Sequence, residues 1–294
     1  MVSQLRLLTL TALAMLAFAG NSLLCRLALK QTATDPASFT AIRLLSGALM
    51  LWLVVTLKRR AHLSAMVKPR GGNWPSALAL FVYAAGFSFA YVRLPAATGA
   101  LLLFGAVQAT MIGHGLWAGE RFRPLQWAGL ILAFGGLLSL LLPGLSAPPL
   151  LDSALMLLAG LAWGIYSLRG KGAGDPTLVT AGNFWRAVPM ALMLALVTSQ
   201  VWSLSMPSQL YLDVQGLGYA LASGALASGV GYAIWYTALP GLKATQAATV
   251  QLSVPVLAAM GGIVFLDELL TLHLMLASIA ILGGIAFVIW ERRD

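Results

Sequence analysis

Apolar residues dominate the chain in stretches of about twenty, and short clusters of proline, glycine and charged residues separate them. A helix needs about 20 mostly apolar residues to cross the hydrocarbon core of a bilayer. Ten spans of about 20 residues use roughly 200 of the 294 residues, so the loops are short and function is expected inside the helical bundle. The predicted spans are Leu7–Leu29, Ser38–Leu57, Ser76–Arg93, Thr98–Trp117, Leu125–Leu142, Leu151–Leu168, Thr177–Thr198, Gly216–Ala238, Ala244–Leu266 and Leu270–Trp290.

Composition indicates an all-α integral membrane protein. Hydrophobic residues make up 60% of the chain and charged residues 9%, whereas roughly 25% of the residues of a soluble domain are charged. The apolar stretches are too long for the strands of a transmembrane barrel, which take about 10 residues each. The one cysteine, Cys25, excludes an intramolecular disulfide and with it a secreted disulfide-rich scaffold.

Two interpretations are open for the N-terminal segment. Arg6, the apolar run after it and Ala17-Phe18-Ala19 resemble a signal peptide with its cleavage site. The apolar pattern, however, continues to Leu29, and the segment resembles one in the second half of the chain. We therefore favour a retained transmembrane helix.

The 18 lysine and arginine residues predict the orientation of the spans. With a cytoplasmic N-terminus, 13 of them lie at the inner ends of the spans, and only Lys30 and Arg93 lie at the outer ends. Because cytoplasmic loops carry an excess of basic residues, both chain ends are predicted to be inside. The remaining three, Arg26, Arg43 and Arg186, fall within spans. The net charge of +9 is thus a topology signal, and no nucleic-acid partner is expected.

Short motifs recur in the same order in both halves of the chain. Asp35-Pro36 with Thr40-Ala41 recurs 140 residues later, Tyr91 with Leu94-Pro95 recurs 145 residues later, and Gly135-Gly136 recurs 148 residues later. We predict two five-helix repeats, residues 1–146 and 147–294. Five is odd, so the second repeat enters the membrane from the opposite side, as in many secondary transporters that work by alternating access. A duplicated scaffold without a transport role is the alternative.

Ionisable side chains within a span are functional candidates, because burying a charge in the bilayer is costly. Arg26 and Arg43 lie toward the outer ends of their spans. They can snorkel outward or pair with Asp35 in the loop between the spans, and this interpretation is slightly favoured over contact with a substrate.

Arg186 lies near the middle of span seven, with Asn183 one turn before it on the same face. A guanidinium at this depth needs an acceptor, and a substrate carboxylate is a suitable bidentate partner. Backbone carbonyls freed near Pro189 are the alternative partner. The sequence favours neither interpretation.

Polar and aromatic side chains concentrate in spans one, three, four and six to nine, whereas spans five and ten contain almost none. This contrast predicts a cavity lined by eight helices, with spans five and ten at the periphery. Amide groups can bind ammonium or carboxylate groups, and aromatic rings can stack on a solute or face a cation, although Trp and Tyr also form interfacial belts. The predicted substrate-binding residues are Asn21, Tyr83, Gln108, Trp163, Tyr166, Asn183, Arg186, Tyr232 and Gln251, with Trp185 and Tyr236 as further members of the polar and aromatic set.

Small residues and prolines indicate where helices can approach closely or bend. Gly160 and Gly164 form a GxxxG pair, and Gly224 belongs to a row of small residues at four-residue spacing. Pro189 and Pro255 each remove a backbone donor and permit a kink. We predict gating or hinge roles for these five residues, although all are also compatible with packing alone.

Several functional classes lack their motifs in this sequence. It has no G-x-x-x-x-G-K-S/T loop for ATP, no zinc-ligand cluster and no cofactor motif, so neither an ATPase subunit nor a cofactor is expected. A membrane-embedded enzyme is a rival, but no Asp or Glu lies in the interior of a predicted span, and an ion channel would not need the duplication. The candidate for proton linkage is His114 near the inner end of span four. We expect weak coupling or facilitated transport.

The second half carries a resemblance to a known family. Its Trp235 to Pro240 stretch with Lys243-Ala244-Thr245, and its Phe265 to Glu268 and Gly283-Gly284 segments, resemble EamA-type members of the drug/metabolite transporter superfamily. Gly119-Glu120 is similar in the first half, although span four has no counterpart of the span-nine proline. Within the superfamily, the chain most resembles amino-acid exporters, including the aromatic-amino-acid branch. The resemblance implies a bacterial inner-membrane carrier that exports amino acids, with other metabolites or drugs as alternative substrates.

Overall fold

The computed structural model describes residues 4–61, 71–119, 121, 123–141, 147–170, 174–205, 213–242 and 250–290. The described residues are almost entirely helical, and no strand occurs among them. The helices are α1 (Gln4–Gln31), α2 (Pro36–Ala61), α3 (Trp74–Ala90), α4 (Ala96–Trp117), α5 (Pro124–Leu141), α6 (Leu150–Gly170), α7 (Pro176–Ser205), α8 (Val214–Ala238), α9 (Ser253–Leu266) and α10 (Leu272–Trp290).

Six of the described helices, α1, α2, α4, α6, α7 and α8, are long and apolar enough to cross a membrane. The other four, α3, α5, α9 and α10, are shorter apolar helices. Their described ends agree with the predicted spans to within four residues, except that α7 continues seven residues further, to Ser205. The end of predicted span five, residue 142, and the start of predicted span nine, residues 244–249, lie outside the described residues. The chain is therefore an all-helical, multi-pass membrane protein.

The same Asp-Pro motif caps the N-termini of α2 and α7. The Asp35 carboxylate accepts hydrogen bonds from the amides of Ala37 and Ser38, both at 2.9 Å. Asp175 accepts the amide of Thr177 at 2.9 Å at the equivalent place in α7. Aspartate before the first turn satisfies amides that have no partner inside the helix, and the proline that follows has no amide to satisfy. The repeated motif thus forms the same local structure in both halves.

Helix packing divides the bundle into a central group and a peripheral pair. α1 packs against α8 and α9, α6 packs against α3 and α4, and α2 packs against both α7 and α8. α7 also packs against α3. α5 and α10 pack mainly against each other and contact α4, so they lie at the edge, as the sequence predicts.

Glycines sit where helices approach closely. A Cβ added to Gly160 or Gly164 of α6 would lie within 2.5–2.7 Å of atoms of α4. A Cβ added to Gly224 of α8 would collide with the backbone oxygen of Arg43 and the hydroxyl of Ser46 on α2. The small-residue rows predicted from the sequence are therefore helix-helix contact surfaces.

Three helices depart from regular α-geometry or carry an internal proline. α8 is π-helical from Ala222 to Val230, the stretch that packs against α2. Pro189 lies inside α7 on its exposed side. Pro255 lies in the first turn of α9, and Leu252 just before that helix is a turn residue that follows helical Gln251. A break just upstream is expected, because proline cannot bond the carbonyl four residues before it.

Candidate functional site

A central cavity lies between α1, α3, α4, α6 and α8. Its atom-free space is about 350 Å³ including the opening, but only about 20 Å³ is available to the centre of a water molecule. That is enough for ordered water and too little for a solute, so a solute requires the helices to move. The cavity is lined by Phe18, Asn21, Ser22, Tyr83, Phe87, Leu103, Phe104, Trp163 and Tyr232.

Aromatic rings from three helices meet at Trp163 of α6. Its ring centroid lies 4.7 Å from that of Tyr83, 5.1 Å from that of Tyr232 and 5.5 Å from that of Tyr166. Phe18 of α1 adds an edge contact to Tyr232 at 5.9 Å. These rings give the cavity a wall that can stack on a ring or face an ammonium group.

A buried chain of hydrogen bonds, which we call the central cluster, joins α8, α1, α3 and α2 beside the cavity. Ser223 donates to the Asn21 side-chain oxygen at 2.7 Å, and the Asn21 amide donates to the Tyr83 hydroxyl at 3.4 Å. Arg43 donates from Nη2 to the same hydroxyl at 3.0 Å and from Nε to the Ser228 hydroxyl at 3.2 Å. The cluster contains two predicted site residues, Asn21 and Tyr83, and ties both halves of the chain together.

Arg43 is only 1% exposed, so the expectation that it snorkels outward or pairs with Asp35 is wrong. Its guanidinium carbon lies 5.2 Å from the ring centroid of Tyr83 and 4.9 Å from that of Phe87. Its Nη1 atom is buried without a hydrogen-bond partner. Asp35 instead caps α2. One signal was present in the sequence, because Arg43 follows Asp35 by eight residues, just as the candidate Asn183 follows its repeated aspartate.

The Arg186 side chain forms hydrogen bonds with backbone carbonyl oxygens. Its Nη1 donates to the carbonyl oxygens of Gly71 and Gly182, both at 2.8 Å, and its side chain is half-buried. Backbone carbonyls, the alternative left open by the sequence, are therefore its partners, although they lie in the segment before α3 and in the preceding turn of α7 and not near Pro189.

Asn183 also binds the segment before α3. Its side-chain oxygen accepts the Asn73 amide at 2.9 Å, and its amide donates to the Tyr166 hydroxyl at 3.4 Å. Arg169 donates to the Ser76 hydroxyl at 3.1 Å nearby. We call this group the loop cluster; its members are Gly71, Asn73, Ser76, Tyr166, Arg169, Asn183 and Arg186.

Arg26 forms an ion pair, but not with the partner considered from the sequence. Its Nε lies 3.1 Å from Oε1 of Glu268, and its Nη1 donates to the carbonyls of Tyr91 and Val92 at 2.9 and 2.7 Å. The second oxygen of Glu268 accepts the Ala96 amide at 2.7 Å. This arrangement joins the ends of α1, α3 and α9 to the start of α4.

The remaining predicted residues lie outside the cavity lining. Gln108 is buried in α4, and its side-chain nitrogen has no hydrogen-bond partner. Gln251 is half-buried beside the break before α9. His114 is exposed at the end of α4, with its ring 6.1 Å from that of Trp117. Within the described ranges, no group of three or more potential ligands for a metal ion occurs.

Three relatives of this chain cover between 55% and 98% of its length. An uncharacterised protein of Pseudomonas aeruginosa is 59% identical over 287 residues, which are 98% of this chain and 96% of that protein. An uncharacterised transporter of Archaeoglobus fulgidus is 28% identical over 88% of this chain and 89% of its own length. The threonine/homoserine exporter RhtA of Escherichia coli is 34% identical over 170 residues, which are 55% of this chain and 54% of RhtA.

A solved crystal structure has the same fold. It superposes with a TM-score of 0.63 at 20% identity and covers 97% of this chain and 99% of its own. The EamA-like transporter family model matches the chain twice, at residues 5–142 and 152–290. Because these two matches cover nearly the whole sequence, the chain belongs to the EamA-like transporter family.

Proposed function

We propose that this transporter exports amino acids across the bacterial inner membrane by alternating access through the central cavity. The observation that carries the proposal is the cavity itself, which the rings of Trp163 and Tyr232 line together with Asn21 and Tyr83 of the central cluster. Rings beside amide and hydroxyl groups suit a zwitterion with a variable side chain. The similarity to the threonine/homoserine exporter over about half of the chain supports the same substrate class.

We further propose ten spans arranged as two inverted five-helix repeats, residues 1–146 and 147–294, with both ends in the cytoplasm. The helix packing supports this arrangement, because contacts recur when each helix is exchanged for its counterpart five positions away. The α1–α8 contact corresponds to α6–α3, α1–α9 to α6–α4, and α2–α8 to α7–α3. The α2–α7 and α5–α10 contacts map onto themselves. A pseudo-two-fold axis produces such pairs.

Alternating access is proposed because the cavity lies between the halves and is too small for a solute. Its walls include α1 and α6, which occupy equivalent places in the two repeats. The glycine contact at Gly160 and Gly164 and that at Gly224 let helices slide past each other, and the break before Pro255 provides a hinge. Exchange of conformations between the repeats would open the cavity to each side in turn.

Transport is proposed to be weakly coupled or facilitated, without a cofactor. The residues that line the cavity include no carboxylate and no histidine. His114, the candidate for proton linkage, is exposed at the end of α4. A pump that couples protons to its solute usually needs a titratable group within the membrane.

A transporter of drugs or other metabolites is the second candidate, and the aromatic wall favours it. Tyr83, Trp163 and Tyr232 could also stack on an organic cation. The buried guanidinium of Arg43 beside Tyr83 opposes a cationic solute, because like charges repel strongly in a medium of low dielectric constant.

The test is efflux of labelled amino acids from proteoliposomes that contain the purified protein. Labelled threonine, homoserine and phenylalanine are loaded separately, each with or without an excess of unlabelled amino acid or of a sugar inside the same vesicles. We expect saturable efflux that an unlabelled amino acid competes for and a sugar does not. No saturable, competable efflux of any amino acid would contradict the proposal, and saturable efflux of an organic cation in its place would favour the second candidate.

A further inference from the structure

Arg43 is a buried cation that no described carboxylate neutralises. Its side chain is 1% exposed and packs where α2, α3 and α8 meet. Each of the six carboxylates in the described ranges lies elsewhere: Glu268 pairs with Arg26, Asp152 pairs with Arg93, Asp35, Asp175 and Asp213 cap helices, and Asp267 follows the end of α9.

A buried guanidinium without a carboxylate partner would be stabilised by an anion. Arginine stays protonated in proteins, so it cannot avoid the cost of burial by losing its proton. The hydroxyls of Tyr83 and Ser228 and the ring faces of Tyr83 and Phe87 offset part of that cost. The Nη1 atom still has no partner. A carboxylate would supply both the missing acceptor and the missing charge.

The guanidinium is one side chain away from the cavity. Tyr83 and Phe87, which contact it, both line the cavity. Asn21, another lining residue, donates to the same Tyr83 hydroxyl that Arg43 binds. A shift of the Tyr83 side chain during cavity opening would therefore bring a solute within reach of Arg43.

We propose that Arg43 binds the carboxylate of the transported solute. This inference rests on the proposed function and names the group by which the substrate is recognised. The bond to Arg43 places the solute between the guanidinium and the rings of Trp163 and Tyr232, which are left to contact the ammonium group and the side chain. The site belongs to the first half only, because the equivalent position in the second half is Asn183.

Three ligands of similar shape test the proposal: phenylalanine, phenethylamine without the carboxylate, and 3-phenylpropionate without the ammonium. Binding is measured as the shift in thermal unfolding of the purified protein, with acetate as a minimal carboxylate. We expect phenylalanine, 3-phenylpropionate and acetate to raise the unfolding temperature of the wild type. Phenethylamine should leave it unchanged. Arg43→Gln should weaken phenylalanine binding roughly ten- to hundredfold, which corresponds to loss of one charge-assisted hydrogen bond. Arg43→Lys, which keeps the charge without the planar fork, should fold and retain part of the affinity.

The outcomes separate this inference from the proposed function. Acetate stabilisation that Arg43→Gln abolishes supports the anion site even if proteoliposomes transport no amino acid. Equal binding of phenethylamine and phenylalanine overturns it, and so does unchanged carboxylate binding in both Arg43 variants while transport persists. The inference is also overturned if Arg186→Gln loses carboxylate binding while Arg43→Gln keeps it. That result would assign the carboxylate to the loop cluster.

Discussion

Two arginines in the membrane-spanning helices have opposite surroundings. Arg186 in α7 is half-buried and bonds two backbone carbonyls, from Gly71 and Gly182. Arg43 in α2 is fully buried and bonds side-chain hydroxyls, with one nitrogen left unpaired. Backbone oxygens hold a cation in one place as part of the fold. Hydroxyls and rings belong to side chains, which can change rotamer without a change in the fold. We therefore assign a structural role to Arg186 and propose a solute-binding role for Arg43.

The largest effect is expected from Gly224→Ala, which alters the helix contact at Arg43. The added methyl would collide with the Arg43 carbonyl oxygen and the Ser46 hydroxyl, so α2 and α8 must separate. We expect a loss of stability of about 1–3 kcal/mol, as overpacking costs in cores, together with near-complete loss of transport. Thermal unfolding and efflux measure the two effects. Gly218→Ala on the same helix has open space for its methyl and should behave as wild type. Equal loss in both variants would show that the close contact at Gly224 is not the cause.

Arg186→Gln should destabilise the protein without changing solute affinity. It removes two charged donors from backbone oxygens, so we expect a loss of about 1–3 kcal/mol in unfolding free energy, with solvent screening favouring the lower end. The unfolding midpoint and the dissociation constant for phenylalanine are measured on the same preparation. Unchanged stability with weakened binding would reverse the comparison between the two arginines.

Trp163→Phe should change selectivity more than the amount of protein in the membrane. The smaller ring keeps an aromatic wall but loses part of the contact with Tyr83 and Tyr232. We expect the KM for an aromatic solute to change by several-fold relative to that for threonine, in competition assays on proteoliposomes. Trp185→Phe on the exposed side of α7 is the matched control; the same selectivity change in both variants would argue against a solute-facing Trp163.

His114→Ala should have the smallest effect. The imidazole is exposed at the end of α4 and is absent from the cavity lining. We expect no measurable change in efflux rate or in its pH dependence. Solute and proton fluxes measured together decide the question, because a stoichiometry of one proton per solute that disappears in His114→Ala would refute weak coupling.

Much of the fold could be predicted from local pattern. Apolar stretches and Asp-Pro starts predict α2 and α7 closely, because Asp35 and Asp175 act on amides within their own first turn. The glycine contacts and the peripheral position of α5 and α10 were predictable for the same reason, since residue size and helix polarity are local properties.

The candidate site was predictable only in part. Asn21, Tyr83, Trp163 and Tyr232 could be identified as polar or aromatic groups within spans. The hydrogen bonds of Arg43, however, are made to the hydroxyls of Tyr83 and Ser228, which lie 40 and 185 residues away in the sequence. The pattern of apolar stretches indicates how deep in the membrane a side chain lies. It does not indicate which residue, distant in the sequence, contacts that side chain. The π-helical stretch of α8 likewise has no signature in its apolar periodicity.

Solute protection of two engineered thiols tests most directly whether the central cavity, and not the loop cluster, holds the solute. Ser22→Cys lines the cavity and Ser76→Cys lies in the loop cluster; both serines are buried. Each is made in a Cys25→Ala background, which removes the only native thiol. Alkylation by N-ethylmaleimide is timed in membranes with and without a mixture of the standard amino acids other than cysteine, whose own thiol would consume the reagent. A solute held in the central cavity should slow alkylation at position 22 and leave the rate at position 76 unchanged. Protection at position 76 alone, or at neither position, would contradict it.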